Sequence, residues 1–481
     1  MRLLKILAVL TIALALSVGA YAETQSVKVS GAITERAFAR CNYDLKNHEA
    51  RTAQTSNDWA TFLQSTAEVQ VDADLTDNVG GVIRLVNQRV WGDNVYLDDG
   101  QMCQIGPEGT LMSRTVGYTT TDTNADSFAV DVALAYIELK QFLYSPLTLR
   151  IGRQDLWFGK GFIIGANLTQ FRNDIYAAEY TAIRSFDAIR ATLDYDPLTI
   201  DAVYAKITEN GMRKDDDVNL WGVNAGYVFD KYNADAEGYF WWKQDRNTGS
   251  PAGTSIGSVN GITSNNIYVL GTRGSIDPIE NWTVSAEGAY QFGQFLGADY
   301  QNTTRQRSAW AVDASLECRY WKDKYAWKPV VAIEYILYSG ETDASDDNNA
   351  FASGTYTGWD VMYRGKFDTA IREWQNVFYR TLQASSPACT NQQQLLLKGS
   401  IEPTDSLTIN ATYGHFWLCE RYAGVTPNKN IGDELDFNLT WDYTEDVSFG
   451  LLAGWFFPGN HWANGNSDVA ADVVGTVKLS F

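Results

Sequence analysis

The sequence predicts an all-β protein: a transmembrane antiparallel β-barrel of about 18 strands, with short periplasmic turns and long extracellular loops. Three observations predict it. The chain opens on a secretory signal, alternates apolar and polar residues through most of its length, and ends on an aromatic residue that closes an apolar face.

Residues 1–22 read as the signal peptide and 23–481 as the barrel. Arg2 and Lys5 form the positive start, Ile6 to Leu16 the apolar core, and Ala20-Tyr21-Ala22 the small-x-small cleavage pattern. The formal charge is -20. Loss of Arg2 and Lys5 makes the mature chain more acidic still, which argues against a nucleic-acid partner. After residue 22 no run of about 18 apolar residues suggests a membrane helix. At the other end Val473, Gly475, Val477, Leu479 and Phe481 share one face, against Asp472, Thr476, Lys478 and Ser480 on the other. Such a strand, closing on Phe481, is the type that the barrel-assembly machinery of a bacterial outer membrane receives. That places the chain in contact with outer-membrane lipid and lipopolysaccharide.

The alternation recurs along the chain. Leu435, Phe437, Leu439, Trp441 and Tyr443 alternate with Glu434, Asp436, Asn438, Thr440 and Asp442. Leu407, Ile409, Ala411 and Tyr413 do the same, as do Leu63, Ala67, Val69 and Val71. A strand crossing a bilayer at about 45° needs roughly 9–11 residues, and its backbone groups must all be paired, so such strands close into a barrel.

The turns set the strand count. "YSPLT" (144–148), "YDPLT" (195–199), "IDPIENWT" (276–283) and "IEPTDSLT" (401–408) each join two alternating segments. Proline suits such turns and cannot serve a central ladder. Further tight joints fall near 74–78, 229–232, 321–325 and 443–447. Long polar segments alternate with these turns, the largest at 93–126 and 340–390. Eight turns join sixteen strands, and the first and last strands complete the count. The apolar stretch Gly358 to Tyr363 then belongs to a loop, since counting it would make the number odd.

Strand parity supplies the candidate pore-lining residues. Arg84, Arg150, Arg153, Arg190, Arg273, Arg319 and Lys398 are expected in the lumen with Glu68, Asp72, Asp235, Glu237, Glu287, Asp313, Glu317, Glu334 and Asp436. Arg150 and Arg153 have opposite parity. An Arg facing mid-membrane lipid costs roughly 2–4 kcal/mol. A bulge at Gly152 is therefore expected to turn both inward, with Leu147, Leu149, Ile151 and Leu156 outward. Leu147 to Phe158 is read as the strand, and Gly159 to Gly165 as loop glycines; no helix pattern follows, as a phosphate loop requires.

Other motifs dissolve. "GTSIG" (253–257) lies in a Ser/Gly/Asn-rich loop, not at a strand–turn–helix elbow. His48, His415 and His461 lack metal-ligand spacing, and "ETDASDDNNA" (341–350) lacks the EF-hand order. No metal, no cofactor and no enzymatic activity are expected.

"LRIGRQDLWFGKGFIIG" followed by "SFDAIRATL" resembles the alginate-export family of outer-membrane porins. The shared pattern is G-R-Q-x-L-x-x-G, then F-D-x-x-R: here Gly152, Arg153, Gln154, Leu156, Gly159, Phe186, Asp187 and Arg190. "SAEGAYQFG" (285–293), "ILYSGETD" and "GDELDFNLTW" resemble it too, in the right order from about 128 to 443. The resemblance implies an eighteen-stranded monomeric barrel with a charged lumen and no enzymatic activity. Arg153, Asp187, Arg190 and Glu287 lie on these motifs and are expected to form a charged constriction. Arg153→Ala and Arg190→Ala should then both shift ion selectivity towards cations. The inferred lumen is mixed in sign rather than basic, so the family name does not fix the substrate.

The sequence thus points to an outer-membrane channel through which small polar solutes or oligosaccharides diffuse, with loops 93–126 and 340–390 folded inward. A specific exporter of an anionic polysaccharide and a non-transport surface barrel are the alternatives. Five cysteines in an oxidising compartment permit bridges. Cys389 and Cys419 flank the 401–408 hairpin nearly symmetrically and are expected to pair. Cys41 and Cys103 are the other candidates, and Cys318 is expected as an apolar filler on the lipid face.

Overall fold

The computed structural model describes residues 26–42, 45, 59–91, 104–105, 111–112, 130–165, 185–209, 217–246, 265–296, 304–341, 355–365, 368–372, 390–421, 428–462 and 468–481. The signal segment, His48, the "GTSIG" loop, the acidic 342–350 stretch, Cys103 and Cys389 lie outside them, as does nearly all of 93–126.

Eighteen strands form the wall: β1 (Ser26–Cys41), β2 (Trp59–Thr76), β3 (Val79–Val90), β4 (Asp131–Leu139), β5 (Leu147–Gln154), β6 (Phe186–Asp194), β7 (Leu198–Thr208), β8 (Val218–Phe229) and β9 (Ala234–Asp245). They continue as β10 (Asn265–Ile279), β11 (Trp282–Leu296), β12 (Thr304–Cys318), β13 (Val330–Tyr338), β14 (Gln392–Thr404), β15 (Leu407–Leu418), β16 (Asn430–Asp442), β17 (Val447–Pro458) and β18 (Ala470–Ser480). Each pairs antiparallel with its neighbours in sequence, and β1 pairs with β18 from Ala32↔Ser480 to Cys41↔Ala471. The sheet is closed and its edges are gone, as a spanning β-structure requires. Every predicted turn joins two strands. Gly358 to Tyr363 crosses no membrane; the pair Thr355–Tyr356 beside it adds a short parallel contact to Gln306 and Arg307 of β12.

Alternation fixes the faces. Val29, Ile33, Leu63, Ile83, Ile137, Ile151, Ile189, Leu270, Leu397 and Leu451 are exposed on the outside. Trp321, Tyr325, Trp441 and Tyr443 mark the periplasmic end; Trp221, Tyr290 and Trp310 mark the extracellular one. Aromatic rings settle at membrane interfaces because they are apolar bodies with a polar edge. Cys318 follows Leu316 on the outer face, as expected, and is buried there.

The inner face departs from a polar-lined tube. Towards the extracellular end it becomes apolar and buried: Leu220, Trp241, Ile267, Val269, Ile336, Leu396, Phe416 and Phe456 are all at 0–1 % exposure. Water does not reach these side chains because the described parts of two loops pack against them inside the barrel.

Candidate functional site

The first insert follows β5. The strand ends at Gln154, four residues short of the predicted Phe158, and the chain turns inward. Leu156, expected on the outer face, is therefore fully buried, with Phe162, Ile163 and Ile164. Gln154 marks the corner: its side-chain amide donates to the Ala188 carbonyl at 2.9 Å. Gly159 (φ 54) and Gly161 (φ 75) hold left-handed conformations that make the turn at the tip. Between them Lys160 reaches the far wall. Its Nζ lies 3.0 Å from Ser315 Oγ, 3.2 Å from Asp313 Oδ1 and 3.4 Å from Glu334 Oε1.

The second insert is the described part of the 340–390 loop, which folds inward as expected. Ile164 bridges Tyr363, and Gly165 N donates to the Tyr363 carbonyl at 2.8 Å. The two inserts so form one body with a shared apolar core containing Phe158, Phe162, Trp359, Met362 and Tyr363.

The wall holds the second insert at several points. Lys243 Nζ meets Asp360 Oδ1 at 3.1 Å. Gln291 exchanges two hydrogen bonds with the Asp360 backbone, at 2.7 and 2.9 Å. Arg307 donates to the Gly358 carbonyl at 2.9 Å. Lys398 pairs with Asp368 at 2.7 Å and also with Glu334. On β16, Glu434 accepts from the backbone N–H groups of Ile371 and Arg372 at 2.6 and 2.7 Å, and Asp436 accepts from Ala370 at 3.1 Å. Wall carboxylates thus occupy a nest of consecutive N–H donors.

The inner wall of β3 to β6 keeps partly exposed charges, although Phe186 and Ala188 at the extracellular end of β6 are buried against the inserts. Arg84 donates to Gln70 at 2.7 Å. Arg150 meets Glu138 at 2.6 Å and lies 4.5 Å from the Tyr136 ring. Arg190 meets Asp201 at 2.7 Å. Lower in the barrel Arg273 pairs with Asp235 at 2.5 Å and Glu237 at 2.7 Å, Tyr239 donates to Glu287 at 2.8 Å, and Arg319 pairs with Asp277 and Glu317. Arg84, Arg150, Arg190, Arg273, Glu287, Glu317, Arg319 and Asp436 all point inward. The lining is mixed in sign.

Arg153 and Asp187 do not join them. Gly152 has φ 124, yet the pairing of β5 runs without a shift against both neighbours. A bulge that swaps faces needs an extra residue in one strand, and none is present. Arg153 therefore stands on the face of Ile151, opposite Asp187, which follows Ile189 outward. The two pair at 3.6 Å, with Asp187 64 % exposed, at the extracellular rim. There the desolvation cost of the predicted lipid-facing Arg is small. Arg190→Ala is expected to shift the channel towards cations and Arg153→Ala to leave reversal potentials unchanged. One charge about 8 Å from the path is worth roughly 0.5 kcal/mol in water, a factor of about two in permeability ratio, best seen at low salt.

The hairpin of β14 and β15 is offset from the symmetric pairing expected for Cys389 and Cys419. Gln392 lies opposite Leu418, and Cys419 N donates to the Asn391 carbonyl. Cys419 is a thiol in this structure, its Sγ donating to the Tyr338 carbonyl at 3.1 Å. Burial, with Glu420 beside it, pushes its pKa up to about 12. Slow alkylation of Cys419 at pH 8 in the folded protein is expected, read by peptide mass mapping, which also reports any bridge to Cys389 or from Cys41 to Cys103. His415 pairs with Asp433 at 2.8 Å on the outer face, and His461 is buried beside Trp462. Among the described residues no His, Cys, Asp and Glu group could hold a metal ion.

Solved channels share this architecture. OccAB1 of Acinetobacter baumannii superposes with a TM-score of 0.54 at 11% identity, covering 96% of this chain and 98% of that one. OpdK of Pseudomonas aeruginosa, solved with vanillate, gives 0.54 at 10% identity over 95% and 100%. OccK2 of Pseudomonas aeruginosa, solved with glucuronate, gives 0.52 at 12% identity over 95% and 99%. These likenesses are of fold. No curated protein matches the sequence. The sequence profile of the alginate export family matches residues 47–476, nearly the whole barrel. The chain is an outer-membrane, porin-like β-barrel that belongs to the alginate export family.

Proposed function

We propose that this barrel, formed by residues 23–481 after removal of residues 1–22, is a passive, non-enzymatic channel for small polar or charged solutes and works as a monomer. The carrying observation is the two-part insert. Its apolar core packs on the extracellular ends of β6 to β17, so the path we infer runs past the partly exposed charges of β3 to β6, Arg84, Arg150 and Arg190. Each of these guanidiniums has a polar or acidic partner, so the path offers donors and acceptors together. That suits a small solute with several hydroxyl, carboxylate or amine groups better than a continuous polyanion. Single-channel recordings of the refolded barrel with ion gradients test this: small conductance with reversal potentials near zero is expected. Absence of ion current from folded protein would refute it.

The family supports a second reading, export of an anionic polysaccharide. It requires block of the current by that polymer at concentrations where its monomer has no effect.

A further inference from the structure

We propose that Asp313, Ser315 and Glu334 form a binding site for the primary ammonium group of a solute, and that Lys160 is its tethered occupant. This rests on the channel reading above and names a class of solute for it: amines carried on a flexible chain.

The seat belongs to the wall and the occupant to a loop. Asp313 and Ser315 lie on β12 and Glu334 on β13, across the lumen from the β5–β6 connection that carries Lys160. The Asp313 and Glu334 side chains are 0% and 5% exposed. Carboxylates so withdrawn from water require a cation. The seat offers Nζ three acceptors at 3.0–3.4 Å, and an ammonium has three N–H donors. These are hydrogen-bond distances; Mg²⁺ and Ca²⁺ draw oxygens to about 2.0–2.6 Å and take six or more ligands. Ser315 is itself fixed by Ser285 at 2.7 Å, and Glu334 keeps Lys398 on its other oxygen. The seat is therefore organised from the wall side independently of Lys160.

Lys160 sits between two left-handed glycines at the tip of the turn. A Cβ at Gly161 would lie 2.5 Å from the Trp157 ring, so the tip is shaped to deliver one long side chain. An amine arriving from solution competes with this internal one for the same three acceptors.

The test uses n-butylammonium, which reproduces the Lys side chain beyond Cα. Lys160→Met keeps the stem and vacates the seat. Titration calorimetry on folded, detergent-solubilised Lys160→Met should show n-butylammonium binding at least tenfold tighter than to the wild type. Adding Asp313→Asn and Glu334→Gln should abolish it, and tetramethylammonium, which has no N–H, should not compete. In bilayers n-butylammonium should block Lys160→Met at concentrations that spare the wild type. Equal binding to wild type and Lys160→Met, or equal binding of tetramethylammonium, overturns the site. Binding without any ion current would leave the site standing and remove the channel reading; current without differential binding would do the reverse.

Discussion

Lys243→Met is expected to open the channel. Lys243 rises from the inner face of β9 into the apolar body of the two inserts, where Asp360 is its ion-pair partner at 3.1 Å. Methionine fills nearly the same volume and leaves the Asp360 carboxylate without that charge. Removing one partner of a buried pair costs about 3–5 kcal/mol. Both side chains keep some contact with solvent, 14% and 23%, which favours the low end. A loss of about 3 kcal/mol changes the docked-to-released ratio of the second insert about a hundredfold. The barrel itself should fold, since the pair touches no wall-to-wall hydrogen bond. The result to look for is a several-fold larger unitary conductance, with longer or permanent open periods. Wild-type conductance in the variant would show that the inserts are held elsewhere.

The same pair sets the pH response. Burial alone would raise the pKa of Asp360, but Lys243, Arg307 and the Met362 N–H outweigh it and hold the carboxyl below its ordinary 3.8. A depressed folded-state value contributes stability above the ordinary pKa and loses it as pH falls through the lowered one. Docking through Asp360 should therefore be constant from pH 7 to about 4 and weaken only below. Conductance rising already at pH 6 would assign the latch to a different group.

The wall was legible because membrane strands obey a strict period. A side chain facing lipid and one facing water cannot exchange without a measurable cost, so Leu435–Tyr443 and Val473–Phe481 declare their faces and the turns declare the count. Parity assigns Arg84, Arg150, Arg190, Arg273, Glu287, Glu317, Arg319 and Asp436 to the face opposite the exposed apolar residues. Arg153 and Asp187 lie on the face of Ile151 and Ile189 instead, because lipid does not penalise charge equally along a strand and at their level, the rim, an ion pair is hydrated. Lys160 and Asp360 were missed because a loop has no period, and Lys243, on the inner face of β9, was missed because its partner lies in such a loop. A signal for the inserts did exist. Leu220-Trp221-Gly222-Val223, Tyr239-Phe240-Trp241-Trp242, Ile267-Tyr268-Val269-Leu270 and Trp455-Phe456-Phe457 are apolar on both faces. Such runs mark strands buried on two sides. All lie at extracellular strand ends, which calls for an apolar occupant inside the barrel at that level. The family motif has the same meaning: Gln154, Leu156 and Gly159 build the corner where the wall gives way to the first insert, not the pore lining.

Gly31→Val is expected to prevent closure of the barrel. The seam joins the first strand to the last, and its final rung is Gly31 with Phe481: Gly31 N donates to Phe481 O at 2.9 Å, and Phe481 N to Gly31 O at 3.0 Å. Both residues face outward, and the Phe481 ring lies over the bare glycine. A Cβ there would be 2.6 Å from Phe481 Cζ and 2.7 Å from the Glu68 carbonyl oxygen on β2. The ring can swing away, but the carbonyl belongs to the neighbouring ladder and cannot. An aromatic over a strand glycine supplies the packing that the glycine lacks. Valine thus removes that cover and strains the β1–β2 ladder at the one rung where the chain ends must meet. Gly475 is the control: it also faces outward on the closing strand, and a Cβ there meets nothing within 4 Å. Gly475→Ala should fold as the wild type. Resistance of the folded form to SDS without heating reads the outcome. The Gly31 variant should migrate as unfolded chain with no channel activity. If it folds as well as the Gly475 variant, the terminal aromatic is not what locks the seam.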